Sequence, residues 1–426
     1  MNILLTQAYL GGTEPPVFPL GLSCLTAAIK GHNLKVFDPN ILPSPQQELA
    51  NLLRKFRPDV VGISLRNIDS TNKRKVVFYY KYFKEMINVV NDISGNHSKI
   101  VVGGPGFSMF AKKIMHDEFS IDYGVFGEGE ITFPQLIENL KTPQKVKGIF
   151  YRKGGKVLFT GSRKNTDLDN LQFADRSLFN LEYYINIPDA IGVETKRGCA
   201  LGCIYCIYGF LNGKQYRLRK PASVGDEIEF IVKKREIKNF TFIDSVFNFP
   251  LDHAKAICSE IINRKLNVSW SAWFHDKYLT KEFVQLAKRA GCNKFILSPD
   301  GFSDRTLKCL GKSQNKKDVL RAFNILNQFT GIEICYNFFK NPPMQSFISF
   351  LALLFFCFKA KIKMGKKIHF EFNSIRIEPN TKLYGIALKE GVINKNDSLL
   401  YPKNYTNRHT RYIEKIFDFI LRLKGK

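Results

Sequence analysis

The chain has 426 residues, 44% hydrophobic and 24% charged, which is the composition of a folded soluble protein and is too long for one ordinary core. Its net charge of +26 favours anionic partners: a phosphate-bearing cofactor, an acidic substrate, a membrane surface or nucleic acid. The lysines run through the whole sequence rather than in one block, so a solvated basic surface is the simpler reading and nucleic acid rests on charge alone.

In chain order, the first 145 residues alternate short apolar runs with longer amphipathic ones, the pattern of a parallel sheet with crossover helices. Strands are expected at 2–6, 34–37, 60–65, 100–103 and 123–126, making a doubly wound, Rossmann-like domain. Ligands in such sheets sit beyond the carboxyl ends of the strands, here the loops 13–20, 66–71, 103–108 and 127–130. Gly103-Gly104-Pro105-Gly106 would let the backbone approach a ligand closely, although Gly-rich turns also serve simple chain reversal. Residues 148–151 and 156–160 flank Lys153-Gly154-Gly155 and read as a hairpin, and the polar stretch 163–175 reads as a linker. The expected organisation is a first domain over 1–145, hairpin and linker over 146–187, a second domain over 188–385 and a basic helical tail over 386–426.

The second domain opens with a strand at 190–195 that runs into Lys196-Arg197-Gly198-Cys199-Ala200-Leu201-Gly202-Cys203-Ile204-Tyr205-Cys206. Strand-helix units follow at 239–243, 268–273, 294–298, 332–338 and 369–375. A loop with this cysteine spacing can offer three thiolates to one cubane cluster, whereas a closed electron-transfer cluster needs four, so one iron stays open for a small molecule. Zinc is the rival, but no His or further Cys follows in sequence until His253 and Cys258. The six other cysteines stand singly in apolar contexts and read as buried small hydrophobes. The start shows no signal peptide, so a disulfide framework is not expected and a cytoplasmic location is.

The spacing of Cys199, Cys203 and Cys206, with Tyr205 before the third, resembles the radical S-adenosylmethionine superfamily. That resemblance implies a 4Fe-4S cluster held by the three cysteines, and S-adenosylmethionine bound at the open iron and split reductively to methionine and a 5'-deoxyadenosyl radical. It also implies a partial (β/α)6 TIM-like barrel, with active groups at the carboxyl ends of its strands. The first domain resembles the cobalamin-binding domain of one large subgroup, through Pro15, Pro16, Pro19, Leu20 and Gly21, Gly31-His32, Asp38, residues 59–64, Gly103-Gly104-Pro105 and Gly127-Glu128-Gly129-Glu130. Cobalamin contacts are then implied at Pro19, Leu20, Ser64, Arg66, Gly103, Gly104, Gly127 and Glu128. The Asp-x-His-x-x-Gly motif that supplies a histidine to cobalt is absent, and His32 reads as an ordinary turn residue.

For S-adenosylmethionine the expected contacts are Tyr205 beside the adenine, Asp244 at the methionyl amine, Ser298 and Asp300 at the ribose, Asn337, and Arg376 as a carboxylate clamp. Each has a plainer reading: Asp244 as a helix cap, Pro299-Asp300-Gly301 as a turn, Arg376 in an interdomain ion pair. His275 reads equally as a site contact or a surface residue, and Lys312 also matches the subgroup. After Phe338-Phe339-Lys340-Asn341-Pro342-Pro343, Met344-Gln345-Ser346 departs from the subgroup, and an unusually apolar run, 347–358, follows with lysines behind it. No run reaches the roughly 18 apolar residues of a spanning helix. Peripheral membrane contact is open both there and along the tail, where Ile413, Ile416, Phe417 and Ile420 fall at helical spacing.

The resemblance implies an oxygen-sensitive radical enzyme modifying an unactivated carbon of a small molecule, with methyl transfer favoured. Its reductant would be an electron donor such as flavodoxin or ferredoxin. Radical cyclisation or rearrangement is the alternative, and a non-catalytic iron-sulfur or zinc protein the alternative from another class. The 13% aromatic content and the apolar run hint at a hydrophobic substrate, though the same residues fill ordinary cores.

Overall fold

The apolar runs of the first third become strands in the computed structural model, which describes residues 1–423. They are β1 (Asn2–Gln7), β2 (Asn33–Phe37), β3 (Val60–Ser64), β4 (Lys99–Gly103) and β5 (Tyr123–Val125). Between them run α1 (Leu20–Ala28), α2 (Pro45–Phe56), α3 (Tyr79–Ser94) and α4 (Pro105–Asp117), with α5 (Gly129–Glu138) after β5. The five strands are parallel in the order β2-β1-β3-β4-β5, the doubly wound arrangement expected. Proline at the first turn of α2 and α4 fits the local rule, since its missing N–H has no partner there anyway.

The hairpin expected between the domains is instead the edge of this first sheet. Its strands β6 (Ile149–Lys153) and β7 (Lys156–Phe159) add antiparallel to β5. The physical cause is apolar: Ile149 and Tyr151 join the core with Ile3, Leu5, Val60, Val101, Val125 and Phe133, and Phe150 stacks on Phe159 at 4.4 Å. The stretch expected as a linker is also fastened down. Asp175 N–H donates to Ser23 O at 2.8 Å, Phe18 N–H donates to Ala190 O at 3.0 Å, and Tyr184, on the short helix α6 (Glu182–Ile185), hydrogen-bonds Asp38. The first unit accordingly comprises Met1–Ser70 and Arg74–Ile191.

The second unit, beginning at Gly192 and including Thr71–Lys73, is built on a six-stranded sheet. Its chain runs β8 (Gly192–Val193), β9 (Lys196–Arg197), α7 (Tyr208–Leu211), β10 (Arg217–Leu218), α8 (Pro221–Arg235), β11 (Asn239–Phe242), α9 (Leu251–Asn263) and β12 (Ser269–Phe274). It continues through α10 (Lys281–Arg289), β13 (Cys292–Asp300), α11 (Asp304–Cys309), α12 (Lys316–Leu326), β14 (Glu333–Phe339), α13 (Phe347–Met364) and β15 (Ile368–Asn373). It ends with β16 (Ile375–Arg376), α14 (Lys382–Lys389), β17 (Asn404–Tyr405) and α15 (Arg411–Leu423). Strands β8, β11, β12, β13, β14 and β15 are all parallel and follow in sequence order, a partial (β/α)6 barrel.

Alternation along the strands sorts two faces. Tyr336 and Phe338 of β14 and Phe370 of β15 meet Phe356 of α13 at ring distances of 5.6, 6.4 and 6.1 Å, so they face the helices. Cys335, Asn337 and Phe339, with His369, Glu371 and Asn373 in register beside them, therefore line the inner face. The departure at Met344-Gln345-Ser346 does not open the wall, because Ser346 caps α13 in a reciprocal box with Ser349 and the helix delivers the chain into β15. The tail is held as well: Ile413 and Phe417 are buried, and Phe417 packs 4.7 Å from Phe372 and 5.2 Å from Phe350. Its last three residues lie outside the described ones.

Candidate active site

The cysteine loop leaves the sheet at β8, and the backbone there wraps around one carboxylate. Asp244, just past β11, accepts from Thr195 N–H at 2.8 Å, Thr195 Oγ1 at 2.5 Å and Lys196 N–H at 3.3 Å. Its Oδ2 lies 3.4 Å from Lys196 Nζ, which also donates to Phe247 O at 2.7 Å, and both side chains have zero exposure. Burial pulls the lysine's pKa down while Asp244 holds it up. Both oxygens of Asp244 are engaged in fastening the chain that enters the loop, and it caps no helix, since the next helix, α9, starts after Pro250. Thr195 and Lys196 are site residues that sequence reading missed; a lysine one residue before the Arg-Gly-Cys run carries no local mark of a buried partner 48 residues on.

The loop itself is pinned at several points. Cys199 N–H donates to Gly213 O at 3.0 Å, Ile204 N–H to Leu310 O at 3.0 Å, and Ser245 Oγ to Gly198 O at 3.0 Å. Gly198 has φ +91°, and a Cβ there would stand 2.0 Å from Gln215 O, so only glycine fits. Cys199 is buried, and Cys203 and Cys206 are half-buried. Burial raises the Cys203 thiol and pushes Cys206 up to about 12, Cys199 adding to the first and Cys203 and Cys199 to the second, while Lys312 pulls both down.

Lys312 sits at the centre of a second buried network. Its ammonium pairs with Asp300, donates to Ser298 O at 2.7 Å and lies 5.5 Å over the Tyr205 ring. Burial opposes that charge, yet Asp300, Cys203 and Cys206 together hold it above the ordinary lysine value. Tyr205 donates its hydroxyl to Asp300 and sets its ring edge-on to Phe339 at 4.8 Å. Asn337 Nδ2 donates to Ser298 Oγ at 3.2 Å on the inner face. The structure thus gathers Tyr205, Ser298, Asp300 and Asn337 around the cysteine loop. It does not bring Arg376 there as a free cation: the buried guanidinium donates to Glu378 at 2.6 Å and to Leu399 O at 3.0 Å, fastening the chain beyond β15 within this unit.

His275 is buried, not a surface residue. Its Nδ1 accepts from Lys277 N–H at 3.2 Å, so Nε2 carries the proton toward Ser313 Oγ at 2.9 Å, and burial takes its pKa down to about 3. Beside it, Asp276 is fully buried, and burial raises its pKa to about 7. Apolar surface also faces the inner side: Trp273, two residues beyond the inward Ser271 that hydrogen-bonds Thr241, is 38% exposed, and Ile243 is 40% exposed.

The donor set suits a cluster held at three corners. Three thiols come from one pinned loop, with a buried cation beside two of them.

In the first unit, the expected corrin contacts lie along the carboxyl ends of the strands. Ser64 ends β3, Gly103 ends β4, Arg66 is exposed, and Pro19 and Leu20 start α1. The crowding around Gly104 is internal: at φ +95° a Cβ would meet Leu65 O at 2.8 Å and Ser64 Oγ at 3.0 Å. Gly127 differs, with φ +77° and nothing within 4 Å of a Cβ, and its N–H donates to Ser108 Oγ at 3.0 Å. Glu128 accepts from Thr166 N–H at 3.4 Å. His32 bonds Glu138 at 3.1 Å beside the amino end of β2, away from this rim, as the turn reading expects. His97 and His116 also follow no strand's carboxyl end, so no histidine of this unit stands at the rim whose loops would hold a corrin.

A doubly wound sheet joined to a partial barrel whose first strand opens into a three-cysteine loop defines a radical enzyme with two cofactor domains. Residues 7–137 match the B12 binding domain family and residues 193–354 the Radical SAM superfamily. The chain is 25% identical over 392 residues to an uncharacterized methyltransferase of Pyrococcus horikoshii, covering 90% of this chain and 80% of that one. It is 25% identical over 393 residues to the anaerobic magnesium-protoporphyrin IX monomethyl ester cyclase of Synechocystis, covering 88% and 74%. The fold matches the radical S-adenosylmethionine methyltransferase TsrM of Kitasatospora setae, solved with cobalamin and a [4Fe-4S] cluster, at a TM-score of 0.80 and 21% identity, covering 93% of this chain and 76% of that one. The chain belongs to the radical S-adenosylmethionine superfamily, in the subgroup with an N-terminal B12-binding domain. Its cofactors are accordingly a 4Fe-4S cluster, S-adenosylmethionine and cobalamin.

Proposed function

We propose that this enzyme transfers a methyl group to an unactivated carbon of a hydrophobic small molecule. The observation that carries the reading is the pinned three-cysteine loop and a B12-binding unit in one chain, together with the methyltransferase relative that spans nine-tenths of it. The bound cofactors supply reductive cleavage of the sulfonium and a methyl group on cobalt. The chain's own residues bind and orient. Cys199, Cys203 and Cys206 hold the cluster, Ser298 and Asn337 present hydrogen-bonding groups on the inner face, and Lys312 and Asp300 fix the Tyr205 ring beside the loop. Trp273, Ile243 and Phe339 give that face apolar area, which excludes water and suits a greasy substrate.

The net charge of +26 suits an acidic electron donor such as flavodoxin or ferredoxin, and the reducing chemistry suits the cytoplasm. Among the described residues no helix is long and apolar enough to cross a membrane.

The test is anaerobic reconstitution, reduction with dithionite and incubation with methyl-deuterated S-adenosylmethionine and a pool of hydrophobic small molecules. Methionine, 5'-deoxyadenosine and S-adenosylhomocysteine together, with label in a recovered product, are expected. Formation of 5'-deoxyadenosine and a product without S-adenosylhomocysteine would instead establish radical cyclisation or rearrangement, the second reading, which the likeness to the cyclase favours. One zinc, no iron and no cofactor cleavage would establish the non-catalytic alternative.

A further inference from the structure

Helix α13 carries two opposed apolar faces, and the fold uses one of them. Ser349, Phe350, Leu353, Phe356 and Ala360 are buried against the sheet and α15. On the other side Ile348 is 80% exposed, Phe358 64% and Ile362 68%, and between them Leu351 and Phe355 are about half exposed. These five positions follow one another by three, four, three and four residues, a straight stripe along the helix. At its start Phe347 packs beside Tyr412, and both rings are nearly half exposed, so the apolar surface continues onto α15. A contiguous patch of this kind exceeds the scattered apolar exposure of an ordinary surface.

Charge selects the occupant. Helix α13 contains no acidic residue, and Lys359 and Lys363 flank the stripe on one side and Lys361 on the other, with Lys366 and Lys367 just beyond its end. Lys359 Nζ lies 4.4 Å over the Phe355 ring, its stem lying along the apolar surface with the ammonium at the rim. Two copies joined in parallel through this face would set five lysines against five others, and joined antiparallel would set each lysine cluster beside an apolar end. A surface with an acyl layer beneath anionic headgroups satisfies the stripe and the lysines together.

We infer that the exposed face of α13 docks this protein on an anionic lipid surface, with Ile348, Leu351, Phe355, Phe358 and Ile362 entering the acyl boundary and the lysines at the headgroups. The site is separate from the cysteine loop and the assay does not require turnover, so its failure leaves the methyl-transfer reading untouched.

The experiment is flotation of the full chain with vesicles of equal parts phosphatidylglycerol and phosphatidylcholine, against vesicles of phosphatidylcholine alone. Binding to the mixed vesicles, released by salt, is expected. Leu351→Ser with Phe355→Ser and Phe358→Ser should abolish it, and each of Lys359→Gln and Lys363→Gln should weaken it about fivefold, the worth of one lysine at an anionic surface. All are exposed positions, so iron content after reconstitution should stay at the wild-type level and show that the fold survives. The inference is overturned if the chain fails to float with the mixed vesicles, if the triple serine variant floats as well as the wild type, or if the wild type sediments as a dimer that the triple variant dissociates.

Discussion

The pair formed by Lys196 and Asp244 sets a sharp test of what that carboxylate does. The charges are 3.4 Å apart with no exposure of either side chain. At an effective dielectric constant of about 20 this separation corresponds to about 5 kcal/mol of attraction, and removing one partner of a buried pair costs about 3–5 kcal/mol because the other charge is left uncompensated. Asp244→Asn keeps an acceptor for the Thr195 and Lys196 N–H groups and a donor for Thr195 Oγ1, so it isolates the charge. It should destabilise the second unit by about 3 kcal/mol, as should Lys196→Met, whereas the double variant should return to within about 1–2 kcal/mol of the wild type. Urea unfolding of the cluster-free protein, followed by tryptophan fluorescence, reads this unit specifically, because the only two tryptophans, Trp270 and Trp273, both lie on β12. If Asp244→Asn unfolds at the wild-type midpoint and only loses affinity for S-adenosylmethionine, the anchoring role is refuted and the carboxylate is the amine acceptor.

Other expectations follow from the same interior. Asp276, raised from 3.8 to about 7 by burial, binds its proton in the folded chain where the unfolded chain has lost it, so it weakens the fold as pH rises from about 4 to 7. Asp276→Asn should therefore gain about 2–3 kcal/mol over the wild type between pH 5 and pH 8, and an advantage independent of pH in urea titrations would contradict the assignment. Arg376→Met should cost about 2 kcal/mol of stability through the loss of Glu378 and Leu399 O, with S-adenosylmethionine affinity unchanged by equilibrium dialysis. Gly104→Ala should destabilise the first unit by about 1–3 kcal/mol, read by limited proteolysis, since the new Cβ meets Leu65 O at 2.8 Å in a left-handed backbone. Cys203→Ala should leave the reconstituted protein without its iron-sulfur absorbance and without 5'-deoxyadenosine.

Sequence alone determined what local chemistry encodes. Strand and helix order is written in apolar periodicity, and the expected cluster ligands in three cysteines spaced four and three residues apart, because a loop ligand set depends on neighbours in the chain. His32 was readable for the same reason: it occupies a helix-to-strand turn. Tertiary structure decided wherever a side chain's role depends on a distant partner. Asp244 and Arg376 have residue types suited to a charged cofactor, yet the folded chain gives each a buried partner of its own. The room beside Gly104 is taken by the backbone of the neighbouring strand exit, and the hairpin over 149–159 joins the first sheet because Ile149 and Tyr151 find apolar cover there. The same holds for α13: an apolar run announces a buried helix, but only the packed barrel shows that one side is covered and the other left to solvent, since burial is a property of the surroundings and not of the sequence.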